Sequence, residues 1–122
     1  MERDRGHARV IAQNLEITRA PRELFDLRAQ DVFSALPQLA ATGSQFDLIF
    51  ADPPYGEKNI GRRSTSFAQQ LLDDAILPNV LAPGGRFILG HTKRDTLELP
   101  APWQEEKRLN HGDSVMRVLT KQ

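Results

Sequence analysis

Phe46-Asp47-Leu48-Ile49-Phe50-Ala51-Asp52-Pro53-Pro54-Tyr55-Gly56 decides how the rest of the chain is read. Its first six residues form a dense apolar run with one charge, Asp47. A short run of this kind, bounded by turn signals, predicts a strand buried on both faces. Asp52 falls where that strand stops. Pro53 and Pro54 donate no ladder hydrogen bond and force the backbone out of the sheet. In an open parallel sheet, ligands sit at the carboxyl ends of the strands. A carboxylate, two stiff carbonyls and an aromatic ring therefore lie side by side at a ligand-binding edge. This group suits an exocyclic amino group on a base. The Asp52 carboxylate and the Pro53 carbonyl accept its two N–H bonds, so the lone pair is less engaged in ring conjugation and can attack an electrophilic methyl. Tyr55 supplies a stacking face, worth ~1–3 kcal/mol per base.

On the N-terminal side, Ala8, Ile11, Ala12 and Leu15 recur at three- and four-residue spacing and predict an amphipathic helix over Arg3–Ile17. Glu23–Ala29 alternates as a strand does. Asp31 is a helix N-cap for Val32–Ala40, which breaks at Thr42-Gly43-Ser44. On the C-terminal side, a polar loop over Pro53–Thr65 leads to a helix from about Ser66. That helix carries Phe67, Leu71, Leu72, Ala75 and Ile76 on one face, is interrupted near Pro78, and ends at Ala82-Pro83-Gly84-Gly85. Arg86–Gly90 is a third strand. Trp103–Leu109 and Ser114–Leu119 flank Asn110-His111-Gly112-Asp113 as an antiparallel hairpin. Alternation of helix and strand predicts an α/β sandwich on a largely parallel sheet.

The length of 122 residues predicts a single domain over 1–122. Hydrophobic residues at 39% and charged ones at 26% fit a globular chain and exclude a disordered or collagen-like one. The longest apolar run, Leu48–Ala51, falls far short of the ~20 residues of a membrane helix. No basic-then-apolar segment opens the chain, which leads us to expect a cytoplasmic protein without a membrane partner. The absence of cysteine rules out disulfides, cysteine-ligated metals and a thiol nucleophile. Net charge is +0. Residues 1–57 hold six basic and nine acidic side chains, and residues 58–122 hold ten basic and seven acidic. This is either an ordinary mosaic or a basic half that faces a polyanion.

Asp52-Pro53-Pro54-Tyr55 after a strand resembles the catalytic motif of S-adenosyl-L-methionine-dependent amino-methyltransferases, which act on the amino nitrogens of adenine, cytosine or guanine. Other landmarks resemble the RsmD-type family, whose members methylate guanine N2 in small-subunit (16S) ribosomal RNA. They are Met1-Glu2-Arg3-Asp4 leading into Ala8–Leu15, Ala29-Gln30-Asp31-Val32-Phe33, Leu81-Ala82-Pro83-Gly84-Gly85 before a strand, and Gly112-Asp113-Ser114 before Val115–Leu119. The resemblance covers essentially the whole chain. It implies a Rossmann-like class I methyltransferase fold with a C-terminal antiparallel hairpin. It further implies S-adenosyl-L-methionine as cofactor, ribosomal RNA as partner, and no metal. Glu2 matches the acidic residue that holds the cofactor ribose, Asp31 the residue near its adenine, and Asp52, Pro53 and Tyr55 the target-base site, Asp52 also facing the cofactor. Taken alone, Glu2 is a chain-terminal charge and Asp31 a helix cap. The family's first strand and Gly-rich loop belong upstream of Glu2, so the chain is expected to be N-terminally incomplete. It is then expected to bind cofactor weakly or not at all, to show no measurable methyl transfer in isolation, and to self-associate through exposed sheet edges.

Among the remaining residues, Lys58, Arg62 and Arg63 follow the motif and read either as contacts to RNA phosphates or as a solvated loop. Lys93 and Arg94, after a strand end on the same sheet edge, extend that patch. His7, His91 and His111 lack metal-ligand spacing and read as surface imidazoles. Trp103, just after Pro100 and Pro102, reads as a packing residue. Two other readings stay open: the same motif acting on adenine N6 or an amide nitrogen, and an inactive remnant that only binds RNA or protein.

Overall fold

The computed structural model describes residues 1–54 and 63–122 and divides into two compact units, Met1–Thr42 and Gly43–Gln122. In the first unit, α1 spans Arg5–Ile17, capped by the Asp4 carboxylate on the His7 amide at 2.9 Å. A short 3-10 turn follows at Arg22–Leu24, then α2 over Val32–Ala41. The expected strand at Glu23–Ala29 is not formed. Its backbone is extended at Phe25, but among the described residues the segment joins no ladder. An extended segment becomes a strand only when a neighbour takes its N–H and C=O groups.

The second unit is built on a four-stranded sheet in the order β1-β2-β4-β3, with β1 at Phe46–Ala51, β2 at Leu81–Thr92, β3 at Trp103–His111 and β4 at Ser114–Lys121. β1 runs parallel to β2, whereas β2–β4 and β3–β4 are antiparallel. The sheet is therefore mixed, not largely parallel. The hairpin forms as expected and contributes half of the strands. Two short helices, α3 over Phe67–Asp73 and α4 over Leu77–Val80, lie in the crossover between β1 and β2. Ser66 caps α3 through the Gln69 amide, and Asp74 caps α4 through the Ile76 and Leu77 amides. The single expected helix is thus split at Asp74, and Phe67 and Ala75 are exposed while Ala68, Gln69, Leu71 and Leu72 are buried. Leu81–Gly85 opens β2 and does not end a helix. The pairing slips there, between Phe46 and Leu48, and Gly85 lets the Asp47 carbonyl approach where a Cβ would sit 3.0 Å from it.

Alternation along the strands sorts the sheet into two faces. Phe87, Leu89, Leu119 and Trp103 are buried on the face that α3 and α4 cover. The Trp103 ring lies 5.1 Å from that of Phe87, and its Nε1 donates to the Leu72 carbonyl at 3.2 Å, tying β3 to α3. The opposite face leaves Leu48 and Phe50 each 60% exposed. The expectation that β1 is buried on both faces is therefore not met. Among the described residues β1 is an edge strand that pairs with β2 alone.

Trp103 packs and bonds at once, and its two contributions separate by substitution. Trp103→Ala should cost about 3–5 kcal/mol in urea unfolding, as for other buried aromatic truncations. Trp103→Phe, which loses the Leu72 bond but keeps most of the packing, should cost less than half as much.

Candidate functional site

Asp52 stands directly after β1, and the register that sets Ala51 opposite Leu89 brings it beside Gly90 of β2. A Cβ at Gly90 would lie 2.6 Å from Asp52 Oδ1 and 2.9 Å from Met116 Sδ. A side chain at 90 would force the Asp52 carboxylate and the Met116 thioether to shift, so glycine there leaves the carboxylate room to lie close against β2. Asp52 is exposed there, with Pro53 half-buried behind it. A carboxylate seated on backbone yet open to solvent can accept hydrogen bonds from an incoming amino group. Tyr55, Lys58 and Arg62 lie outside the described residues.

Arg63 is described, and its guanidinium is engaged within the fold. Nη1 and Nη2 meet the Asp73 carboxylate at 2.6 and 2.8 Å, and Nε meets Glu98 at 2.8 Å. Gln69 completes the cluster. Its Nε2 donates to Asp73 and to the Glu98 carbonyl, and its Oε1 accepts from the Glu98 amide at 2.8 Å. These contacts raise the Arg63 pKa and hold the Asp73 carboxyl below its ordinary value. Arg63 thereby joins α3 to the segment that leads into β3.

In the Met1–Thr42 unit, the Glu2 amide donates to the Arg28 carbonyl at 2.9 Å. That bond brings Glu2 alongside the segment that ends, three residues later, at Asp31. Glu2 Oε1 accepts from the Asp4 amide at 3.0 Å, and Asp31 Oδ1 caps α2 through the Phe33 amide at 2.8 Å. Cap and candidate ligand are therefore one carboxylate in Asp31. Two carboxylate acceptors on neighbouring segments are of the kind to which ribose hydroxyls and an adenine amino group can donate, so their chemistry is compatible with S-adenosyl-L-methionine.

At the end of β2 the helix-covered face turns polar and borders an open cavity of about 270 Å³ lined by His91, Lys93, Asp95, Arg108, Asn110 and Arg117, among others. His91 is 4% exposed, contrary to its reading as a surface imidazole. Its Nδ1 lies 2.8 Å from the Thr92 carbonyl, and its Nε2 accepts from Arg117 Nε at 3.0 Å. Together these bonds define a neutral ring protonated on Nδ1. Burial pushes the His91 pKa down, in the same direction. Asp95, also buried, accepts from the Ser64 hydroxyl. None of these residues stands out in the sequence as a site. The available signal was β4 itself, where alternation through Val115, Arg117 and Leu119 places a cation on the buried face. Among the described residues no cluster of His, Asp or Glu is arranged to hold a metal ion.

A parallel β–helix–β crossover with a strand-end carboxylate, followed by an antiparallel hairpin, has the arrangement of a class I methyltransferase-like fold, and solved structures share it. The chain superposes on a provisionally named methyltransferase from Escherichia coli, yhhF, with a TM-score of 0.70 at 20% identity, covering 98% of this chain and 61% of that one. A provisionally named methylase from Haemophilus influenzae matches with a TM-score of 0.70 at 23% identity, over 97% and 68% of the two chains. A conserved hypothetical protein of Streptococcus pyogenes matches with a TM-score of 0.70 at 23% identity, over 99% and 69%. The chain thus spans about two thirds of the length of these structures. No curated protein matches it. The sequence model of the family described as Conserved hypothetical protein 95 matches residues 1–120, and the chain belongs to that family, the RsmD-type family its motifs resemble. Among the described residues no helix is long and apolar enough to cross a membrane.

The Arg63 cluster has a pH signature. A carboxyl whose pKa is lower folded than unfolded stabilises the fold above its unfolded value, and that contribution is lost as pH falls through the folded value. Asp73→Asn should therefore unfold at lower urea than the parent at pH 7. The two midpoints should converge as pH falls below the ordinary carboxylate value of 3.8. Urea titrations between pH 7 and pH 3 measure the convergence.

Proposed function

We propose that this protein transfers a methyl group from S-adenosyl-L-methionine to the exocyclic N2 amino group of a guanine in small-subunit (16S) ribosomal RNA, in the cytoplasm. The observation that carries this reading is the exposed Asp52 carboxylate, seated on Gly90 and continued by Pro53-Pro54. Membership of the family and the methyltransferase fold support the reaction class. One family match through residues 1–120 supports reading both units as parts of a single methyltransferase domain.

When bound, the cofactor would supply an electrophilic methyl, its S–CH3 bond breaking and the neutral thioether leaving as the nitrogen takes the methyl. Glu2 and Asp31 would hold its ribose and adenine. Asp52 and the Pro53 carbonyl accept the two N–H bonds of the guanine amino group and keep its lone pair out of conjugation with the ring. As the nitrogen forms its new bond to carbon, positive charge develops on it beside Asp52. The carboxylate stabilises that charge and accepts the proton the nitrogen gives up. Tyr55 provides the face on which the base stacks.

Tritiated-methyl transfer to unmodified 16S ribosomal RNA, followed by nucleoside analysis, tests the assignment in the natural full-length protein. N2-methylguanosine is the expected product, whereas N6-methyladenosine or an unlabelled RNA would overturn it. Asp52→Ala should abolish transfer with little change in Tm, since an exposed strand-end carboxylate holds little of the core together. Gly90→Ala should lower transfer roughly 100-fold, the scale of a displacement of about 1 Å at a reacting group. Near-parental turnover in either variant would remove Asp52 from the mechanism.

The base platform is tested separately. Tyr55→Ala should weaken RNA engagement by about 1–3 kcal/mol, and Tyr55→Phe should be nearly neutral in the same binding assay. A large loss in Tyr55→Phe would assign the role to the hydroxyl instead of the ring.

A further inference from the structure

The cavity at the end of β2 takes no part in the chemistry assigned to Asp52, and its charges do not balance. Arg108 and Arg117 face each other in register across β3 and β4. Like charges directly opposite on a ladder repel. One carboxylate, Glu105, serves both: it accepts from Arg108 Nε at 2.9 Å and Nη2 at 3.3 Å, and stands 3.6 Å from Arg117 Nε. Lys93 lines the same cavity, as does Asp95, which is bonded to Ser64. With His91 neutral, three cations meet two carboxylates.

Arg117 is only 8% exposed. Its Nε bonds His91, and among the described residues its terminal nitrogens have no hydrogen-bond partner. A largely buried arginine that lines a polar cavity, and whose terminal nitrogens reach solvent and not a protein acceptor, is arranged to receive an oxyanion, because two parallel N–H groups match two oxygens of a phosphate. Desolvation and the Arg108 charge both lower the Arg117 pKa, the cost that a bound anion would offset.

Gly90 and His91 are consecutive residues of β2, so Asp52 and this cavity lie on opposite faces at one end of the sheet. Lys93, which lines the cavity, and Arg94, both exposed, follow directly after the end of β2. We propose that the cavity is a phosphate subsite in which Arg117 and Arg108 hold a backbone phosphodiester of the RNA strand whose base is presented to Asp52. This rests on the reading that the substrate is RNA. The subsite carries no sequence information and fixes the register of the strand. Glu105 acts as its internal competitor, occupying the guanidinium groups until a phosphate arrives.

Fluorescence anisotropy with a 5′-labelled, guanine-containing single-stranded RNA 12-mer tests the proposal on the full chain. Variants are confirmed folded by circular dichroism. Arg108→Gln, at a partly exposed position, should weaken binding about tenfold and reduce the log–log salt slope by about one. Glu105→Gln should tighten binding several-fold, which loss of a purely structural ion pair would not do. Inorganic phosphate should lower the affinity of the parent toward that of Arg108→Gln and leave Arg108→Gln unchanged. If the parent binds the RNA and both folded variants bind it equally well, the subsite is wrong while the substrate reading stands. Phosphate that binds the parent without affecting RNA would make the cavity a free-oxyanion site and overturn the proposal. A parent that binds no RNA removes the substrate reading and the subsite together.

Discussion

The Asp52 carboxylate occupies its position because β2 has no side chain at Gly90, and much of the structure serves that contact. The fit depends on the β1–β2 register, in which Ala51 is opposite Leu89. A slip of one residue would send every side chain of β1 to the other face. Asp52 would then stand among the buried Phe87 and Leu89 of the helix-covered face, where a carboxylate without donors is costly. Parallel pairing in turn requires a crossover, supplied here by α3 and α4. The Arg63–Asp73–Glu98 cluster ties the start of that crossover to the segment entering β3. One close approach between a carboxylate and a glycine thus depends on strand register, helix placement and an ion-pair cluster.

What could be read from the sequence was what local physics decides. The strand at Phe46–Ala51 and its stop at Asp52-Pro53 follow from apolar density and two missing N–H groups, and the structure has both. Asp31 as an N-cap and the hairpin around Gly112-Asp113 are equally local. The errors share a different cause. Whether Phe25–Ala29 becomes a strand, whether β1 is covered on both faces, and how much of the sheet is parallel all depend on neighbours distant in sequence. Alternation cannot report them. His91 was misread for the same reason, since its partner Arg117 lies 26 residues away on another strand.

Arg63 shows how one residue type supports two readings until its surroundings are known. In sequence it closes a cationic loop and suits RNA phosphates. In the structure three of its nitrogens meet Asp73 and Glu98. Engaging a phosphate there would leave those carboxylates without their partner. Arg117 is the converse case. It looks like a strand residue in sequence, yet it keeps its forked end without a protein partner among the described residues.

The helix-covered face changes character along its length, and the direction of the change has functional meaning. It runs from Trp103, Phe87 and Leu119, through Leu89 beside Arg117, to Val115 beside His91. Apolar packing holds the end distant from Asp52, and polar groups gather at the end near it. A core designed only for stability would not place an arginine here, because the neutral imidazole that holds its Nε supplies no counter-charge and the nearest carboxylate, Glu105 at 3.6 Å, is shared with Arg108. The neutral tautomer of His91 makes the arrangement tolerable. It accepts the Arg117 Nε bond and fixes the guanidinium plane without cancelling its charge. An aspartate in the same place would neutralise Arg117 and close the cavity to anions. With histidine, Arg117 is held in position and its charge remains available to a ligand.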